Sequence, residues 1–171
     1  PTEFINRLKD VGFSILWQTR LPNEIGFYDR QVADHGVIPT RSGHAHDFFN
    51  LVVFATFPLT KRRLHALQLE EIKKNPTPHL RSRPCDLLTL FDEGGVCETA
   101  DGNRHYFGHA LFEHYDKDPT SDTRGFVVRV DAHEAEVDQA MALLLPHIAE
   151  GRAGAVGSSR SGFDATCAKS D

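Results

Sequence analysis

The sequence predicts a single-domain α+β fold, with a buried central helix and several further helices around a small antiparallel sheet that contains a β-hairpin. Three observations predict it. Residues 43–61, GHAHDFFNLVVFATFPLTK, form an apolar run with no clear polar face, which reads as a buried helix. Short β-branched or apolar runs such as Phe126–Val130 and Val96–Thr99 sit among stretches of helical spacing, with no internal repeat. Finally, 171 residues suffice for one domain with a real core and are too few to expect two. The globular domain is expected over residues 1–150. From Gly151 to Asp171 the Gly/Ser-rich composition predicts a flexible tail.

Taken in order, Thr2 caps a short helix with Phe4, Ile5 and Leu8 on one face. Phe13, Ile15 and Trp17 alternate as in a half-buried strand. Residues 26–36 return to helical spacing, and Val37-Ile38-Pro39-Thr40-Arg41 is extended, because the residue before a proline disfavours helix. Ser42 is the expected N-cap of the central helix, which ends near Phe57. Pro58 then suits the first turn of a second helix reaching Lys74. Leu87–Glu93 and Val96–Thr99 flank Gly94-Gly95 and are expected to pair as a hairpin. Residues 106–115 have helical spacing, and Phe126–Val130 reads as a buried strand. Asp131 with Glu134 makes a capping box before a last helix carrying the stripe Val137, Met141, Leu144, Leu145 and Ile148, which Pro146 should kink or shorten.

Composition narrows the function classes. A net charge of -5 and a pI near 6.1 argue against a general nucleic-acid binder, whose footprint is basic. Cys85, Cys97 and Cys167 form no CxxC pair and are odd in number, so reduced thiols and a cytoplasmic location are expected. The apolar run Phe48–Phe57 stops at Pro58, well short of the roughly 18 residues of a membrane span. No basic-then-apolar leader opens the chain, and its start at Pro1 fits a trimmed or processed protein. A small-molecule partner is the expectation. Nothing in these residues speaks to oligomeric state.

The candidate chemistry starts in the central helix. His46 and Asn50 lie four apart on one face, with Asp47 about 100° round. Imidazole and carboxylate suit an acid–base couple or a divalent metal ion, for which His44, His46, Asp47 and His109 are the candidate ligands. The spacing matches no strong metal signature, and a capping Asp47 beside a satisfied core histidine explains it equally well. Lys61, four before His65, can face Asp47 or a bound anion. Residues 61–83 carry seven Lys/Arg against Glu70 and Glu71, a local +5 that is either a phosphate-attracting patch or a solvated surface. Arg83 can pair with Asp86 ahead of the apolar run, and Asp92-Glu93 reads as turn chemistry. His109 and Glu113 share a helical face. No GxSxG, Walker or Rossmann loop is present.

The strings Val37-Ile38-Pro39-Thr40-Arg41, His46-Asp47-Phe48-Phe49-Asn50, Phe57-Pro58-x-Thr60-Lys61, Asp86-x-x-Thr89-Leu90-Phe91-Asp92-Glu93-x-Gly95 and Gly108-His109-Ala110-Leu111 occur in series.

 Together they resemble a bacterial, largely proteobacterial, family of uncharacterised proteins known only as a domain of unknown function. The likeness covers about residues 37–112. It implies no activity. It implies a residue set: His46, Asp47, Asn50, Lys61, Arg83, Asp86, Thr89, Asp92, Glu93 and His109. Two readings follow. In the first the chain is a hydrolase or transferase for a small or phosphorylated substrate. His46, Asp47, Asn50, Asp86 and His109 then do the chemistry, Lys61, Arg83 and Thr89 hold the substrate or its anion, and a divalent metal is an optional cofactor. In the second it is a non-catalytic module, and the same residues form a buried polar network.

Overall fold

The computed structural model describes residues 2–22, 24–75, 81–120, 123–152 and 160–161. The α+β class stands, with helices dominating. The chain opens with α1 (Thr2–Asp10), β1 (Ser14–Gln18), α2 (Phe27–His35) and β2 (Val37–Arg41). β1 and β2 pair in parallel, Ser14 beside Val37, with α2 as the crossover that a parallel pair requires. α3 (Ala45–Thr56) and α4 (Pro58–Lys74) follow, separated only by Phe57. Next come α5 (Arg83–Gly94), β3 (Gly95–Thr99), β4 (Arg104–Tyr106), α6 (His109–Lys117), β5 (Thr123–Arg124), β6 (Phe126–Val130) and α7 (Val137–Ala149). A last two-residue strand, β7 (Arg160–Ser161), pairs with β5. The rest of the tail expected from Gly151, and the loop residues 76–78, lie outside the described residues.

Two cores flank the α3–α4 pair. Leu8, Phe13, Val32, Ile38, Leu51 and Phe54 fill one, under the β1–β2 pair. The larger holds Val53, Leu64, Leu88, Phe91, Phe107 and Val128 with the α7 stripe of Val137, Met141, Leu145 and Ile148. α3 contributes to both, with Leu51 and Phe54 on one side and Val53 on the other, and the N-terminus of α4 is capped from far away in sequence. The Asp138 carboxylate accepts from the backbone N–H groups of Leu59 and Thr60, both at 2.9 Å.

Several expectations are corrected. Residues 87–93 form the body of α5, not a strand. Ser82 caps this helix by accepting from the Cys85 N–H, Pro84 sits in its first turn, and Cys85, Leu88, Phe91 and Asp92 are buried at helical spacing. Leu90, which period-two alternation pairs with Leu88, is 51% exposed. Gly94-Gly95 is therefore a helix-to-strand junction. A Cβ on Gly95 would run into the Phe91 carbonyl and ring, so only glycine allows the chain to double back there. The hairpin exists one step later, as antiparallel β3 and β4. Its sheet, ordered β4-β3-β6, is mixed, because β6 joins β3 in parallel. His44, not Ser42, stands at the N-cap of α3 and makes no side-chain capping bond. Glu134–Glu136 is a short 3-10 turn, α7 starts at Val137, and the helix continues through Pro146 to Ala149. Among the described residues no helix is long and apolar enough to cross a membrane.

Candidate metal centre and its cleft

A cleft of about 300 Å3 opens between the two cores, walled by α2, β2, α3, α4, α5 and α6. Three helix ends meet at one side of it. His46 lies in the first turn of α3, Glu93 in the last turn of α5, and His109 is the first residue of α6. Gly108 makes this approach possible, since a Cβ there would strike the Glu93 carbonyl and the Gly94 backbone. The Phe107 and Gly108 N–H groups both donate to the Gly95 carbonyl, at 2.9 and 2.8 Å, and lock the junction.

The two imidazoles face each other with 3.0 Å between their Nε2 atoms. His109 Nδ1 is 2.9 Å from the Asp92 carbonyl oxygen, which can only accept, so that nitrogen carries the hydrogen. His46 Nδ1 is 3.0 Å from the Glu113 carboxylate, which selects the same tautomer. Lys117 first, and His46 after it, hold the Glu113 carboxyl below its usual range and keep it an acceptor. Burial, with Lys61 nearby, pushes the His109 imidazole down to about 3, so it is neutral. With each Nδ1 committed to an acceptor, two Nε2 atoms that both lack hydrogen point lone pairs at each other. A cation between them removes the repulsion. Glu93 supplies a third donor 3.4 Å from His109 Nε2, and the donor atoms of His46, Glu93 and His109 all lie within 4.8 Å of one another.

These distances suit an ion. Donors about 2.1 Å from a common metal stand about 3.0 Å apart at a right angle and about 3.4 Å apart at a tetrahedral angle. The hydrogen bonds to Glu113 and to the Asp92 carbonyl are the outer contacts that orient metal-binding histidines. His109 is buried, whereas the His46 and Glu93 side chains are 35% and 43% exposed, so an ion held there would face the cleft. Three protein ligands leave positions open for water or substrate, the arrangement of catalytic rather than structural sites. Burial raises the Glu93 carboxyl, helped by neighbouring Asp92, which is the shift a cation would relieve.

The remaining wall consists of paired charges. Lys61 is wholly buried. Its ammonium donates to Asp92 at 2.5 Å and lies over the Phe54 and Phe107 rings, 4.7 and 5.5 Å from their centres. Burial is the largest influence and raises the Asp92 carboxyl, but Lys61 joined by the His109 and His65 imidazoles outweighs it and brings the group down to about 2. Asp47 is gripped by Arg41 through Nε at 3.0 Å, the guanidinium NH2 at 2.6 Å and the backbone N–H at 2.7 Å. This fork overcomes the burial that would otherwise raise its carboxyl. Asn50 donates to the Tyr28 hydroxyl at 2.9 Å, and burial, then Asp92 and Asp47, keep that phenol protonated.

Of the residues singled out from the sequence, His46, Asp47, Asn50, Thr89, Asp92, Glu93 and His109 line the cleft. Lys61 reaches it only through Asp92 and has no free ammonium for an anion. His44 and Arg83 are exposed and outside it, and Asp86 is exposed 3.8 Å from Arg81. Asp47 belongs to Arg41 and does not meet the imidazoles. Glu93 belongs to the residue set that the resemblance implies, but its own local pattern reads as turn chemistry, because a strand over 87–93 hides its place on the last turn of a helix. Glu113 comes from α6, Tyr28 and Asp29 from α2 and Arg41 from β2, and only the His109/Glu113 spacing is a local signal for a site role of any of them.

No curated protein and no solved structure matches the chain. A family model described as "Protein of unknown function (DUF3025)" matches residues 13–105, a span that contains His46 and Glu93 and stops short of His109. With more than half of its length inside that match, the chain belongs to the DUF3025 family.

Proposed function

We propose that the chain is a hydrolase of small polar substrates that uses one divalent metal ion held by His46, Glu93 and His109. One observation carries the reading: two Nε2 atoms 3.0 Å apart, each on a ring whose Nδ1 is already committed to an acceptor. An ion bound there would polarise a substrate oxygen and bring the pKa of a water toward 7. The protein's part is to hold the three donors, to keep His109 neutral and to admit a substrate to the exposed side of the site. Phosphorylated substrates fit less well, because Lys61 and Arg41 are each neutralised by their own carboxylate. A cleft of about 300 Å3 suits one small molecule and water, which favours hydrolysis over transfer between two bulky substrates. Unpaired, buried Cys85 and Cys97 fit a reducing compartment.

The same distances also suit a proton in place of the ion, with His46 as an imidazolium between Glu113 and His109 in a non-catalytic network. Metal analysis after dialysis against Zn2+, Mn2+, Fe2+ or Co2+ separates the two. The expected result is one ion per chain, lost in His46→Ala and Glu93→Gln and retained in Asp86→Asn. A panel of chromogenic esters and amides should then show turnover that a chelator abolishes. A folded protein that retains none of these ions would leave the polar network.

A further inference from the structure

We propose that the wall of the cleft away from the ion recognises a protonated amine on the substrate, through Asn50 and the His65–Asp29 pair. This rests on the hydrolase reading and names the substrate class for the same site. His65 is 3% exposed, lies flat against the Phe54 ring and stands 5.2 Å from the Tyr28 ring. Its Nδ1 is 2.8 Å from the Asp29 carboxylate, so in the neutral imidazole Nε2 is an acceptor. That Nε2 is buried and has no partner among the described residues. Asn50 uses its amide nitrogen on Tyr28, and its Oδ1 is likewise buried without a partner. Both residues line the cleft that holds His46, Glu93 and His109.

A buried acceptor left unpaired costs about 1–3 kcal/mol. Two of them, on residues that line one cleft, call for a ligand that donates hydrogen bonds. Charge chooses among donors. Asp92 and Asp47 are balanced by Lys61 and Arg41, and Arg81 at the mouth has Asp86 at 3.8 Å. Among the described residues Asp29 has no lysine or arginine partner, only the His65 imidazole at 2.8 Å, so a donor that is also a cation complements this wall. An ammonium group satisfies both the hydrogen-bond pattern and the charge. A phosphate or carboxylate satisfies neither.

The test uses Co2+-loaded protein, whose visible spectrum reports binding at the ion, and a series of straight-chain hydroxamates. The hydroxamate end chelates the metal. The other end, one to four carbons away, is methyl, hydroxyl or ammonium. At one chain length the ammonium compound should bind at least about tenfold more tightly than its methyl counterpart, the ratio that one charge-assisted hydrogen bond supplies. Asn50→Leu and His65→Phe should bring the ammonium-to-methyl affinity ratio, measured within each variant, to about one, while Asn50→Asp, which keeps the acceptor, should retain the wild-type ratio. Methyl compounds binding as well as ammonium compounds at every length would overturn the proposal, even if a variant fails to fold. So would a preference that survives in both folded variants. Silence from every hydroxamate would remove the metal reading and this inference with it, and the methyl series tells that case apart.

Discussion

Replacing Lys61 with methionine tests how the interior on one side of the site is held. The ammonium is fully buried, bonded to Asp92 at 2.5 Å, and the substitution keeps its length while removing the charge. At an effective dielectric of 20 the attraction at that distance is about 7 kcal/mol, most of it offset by the cost of burying both ions. Removing one partner strands the other carboxylate among Phe54, Phe107 and the imidazoles. The expected loss is about 3–5 kcal/mol, the range for a broken buried pair. For a chain of this size that lowers the melting temperature by roughly 6–20 °C. Urea unfolding of Lys61→Met, Asp92→Asn and the double variant gives the coupling. The double variant should lose much less than the sum of the singles, because it leaves no stranded charge. A Lys61→Met protein within about 1 kcal/mol of wild type, or additive losses, would refute the argument that this pair is a closed unit.

Three further outcomes follow from the geometry. Glu113→Gln should weaken metal binding by about 10–100-fold, measured by chelator competition, since it weakens the acceptor that orients His46; unchanged affinity would deny Glu113 that role. Arg41→Lys cannot reproduce the fork on Asp47 and should cost about 1–2 kcal/mol in chemical unfolding; a neutral result would mean the fork is absent in solution. Leu88→Ala should cost about 2–5 kcal/mol and Leu90→Ala under about 0.5 kcal/mol. Equal losses would restore the strand reading of residues 87–93.

Where local signals agree, the sequence was legible. Val37–Arg41 is extended because Pro39 forbids helix just before it, and Pro58 marks the start of α4 where a missing N–H costs nothing. The α7 stripe has one period only. Residues 83–94 are different. Leu87, Leu88, Leu90 and Phe91 satisfy both a period of two and a period of 3.6 over so short a run, and Gly94-Gly95 imitates a turn. Ser82 and Pro84 were the available helix-start signals. A strand over the same residues conceals that Glu93 ends a helix.

The site divides along the same line. His46, Asn50 and His109 announce themselves, because polar and ionisable groups beside apolar runs must find partners wherever the chain goes. The chain by itself determined that requirement and most of the helices, but not α5 or the caps of α3 and α7. Which partner each group takes was decided by tertiary structure: Asp47 goes to Arg41, Lys61 to Asp92, and His46 to His109 across 63 residues. The physical reason is that pairing depends on distances of about 3 Å, and only the packing of α3, α5 and α6 around Gly95 and Gly108 sets distances on that scale.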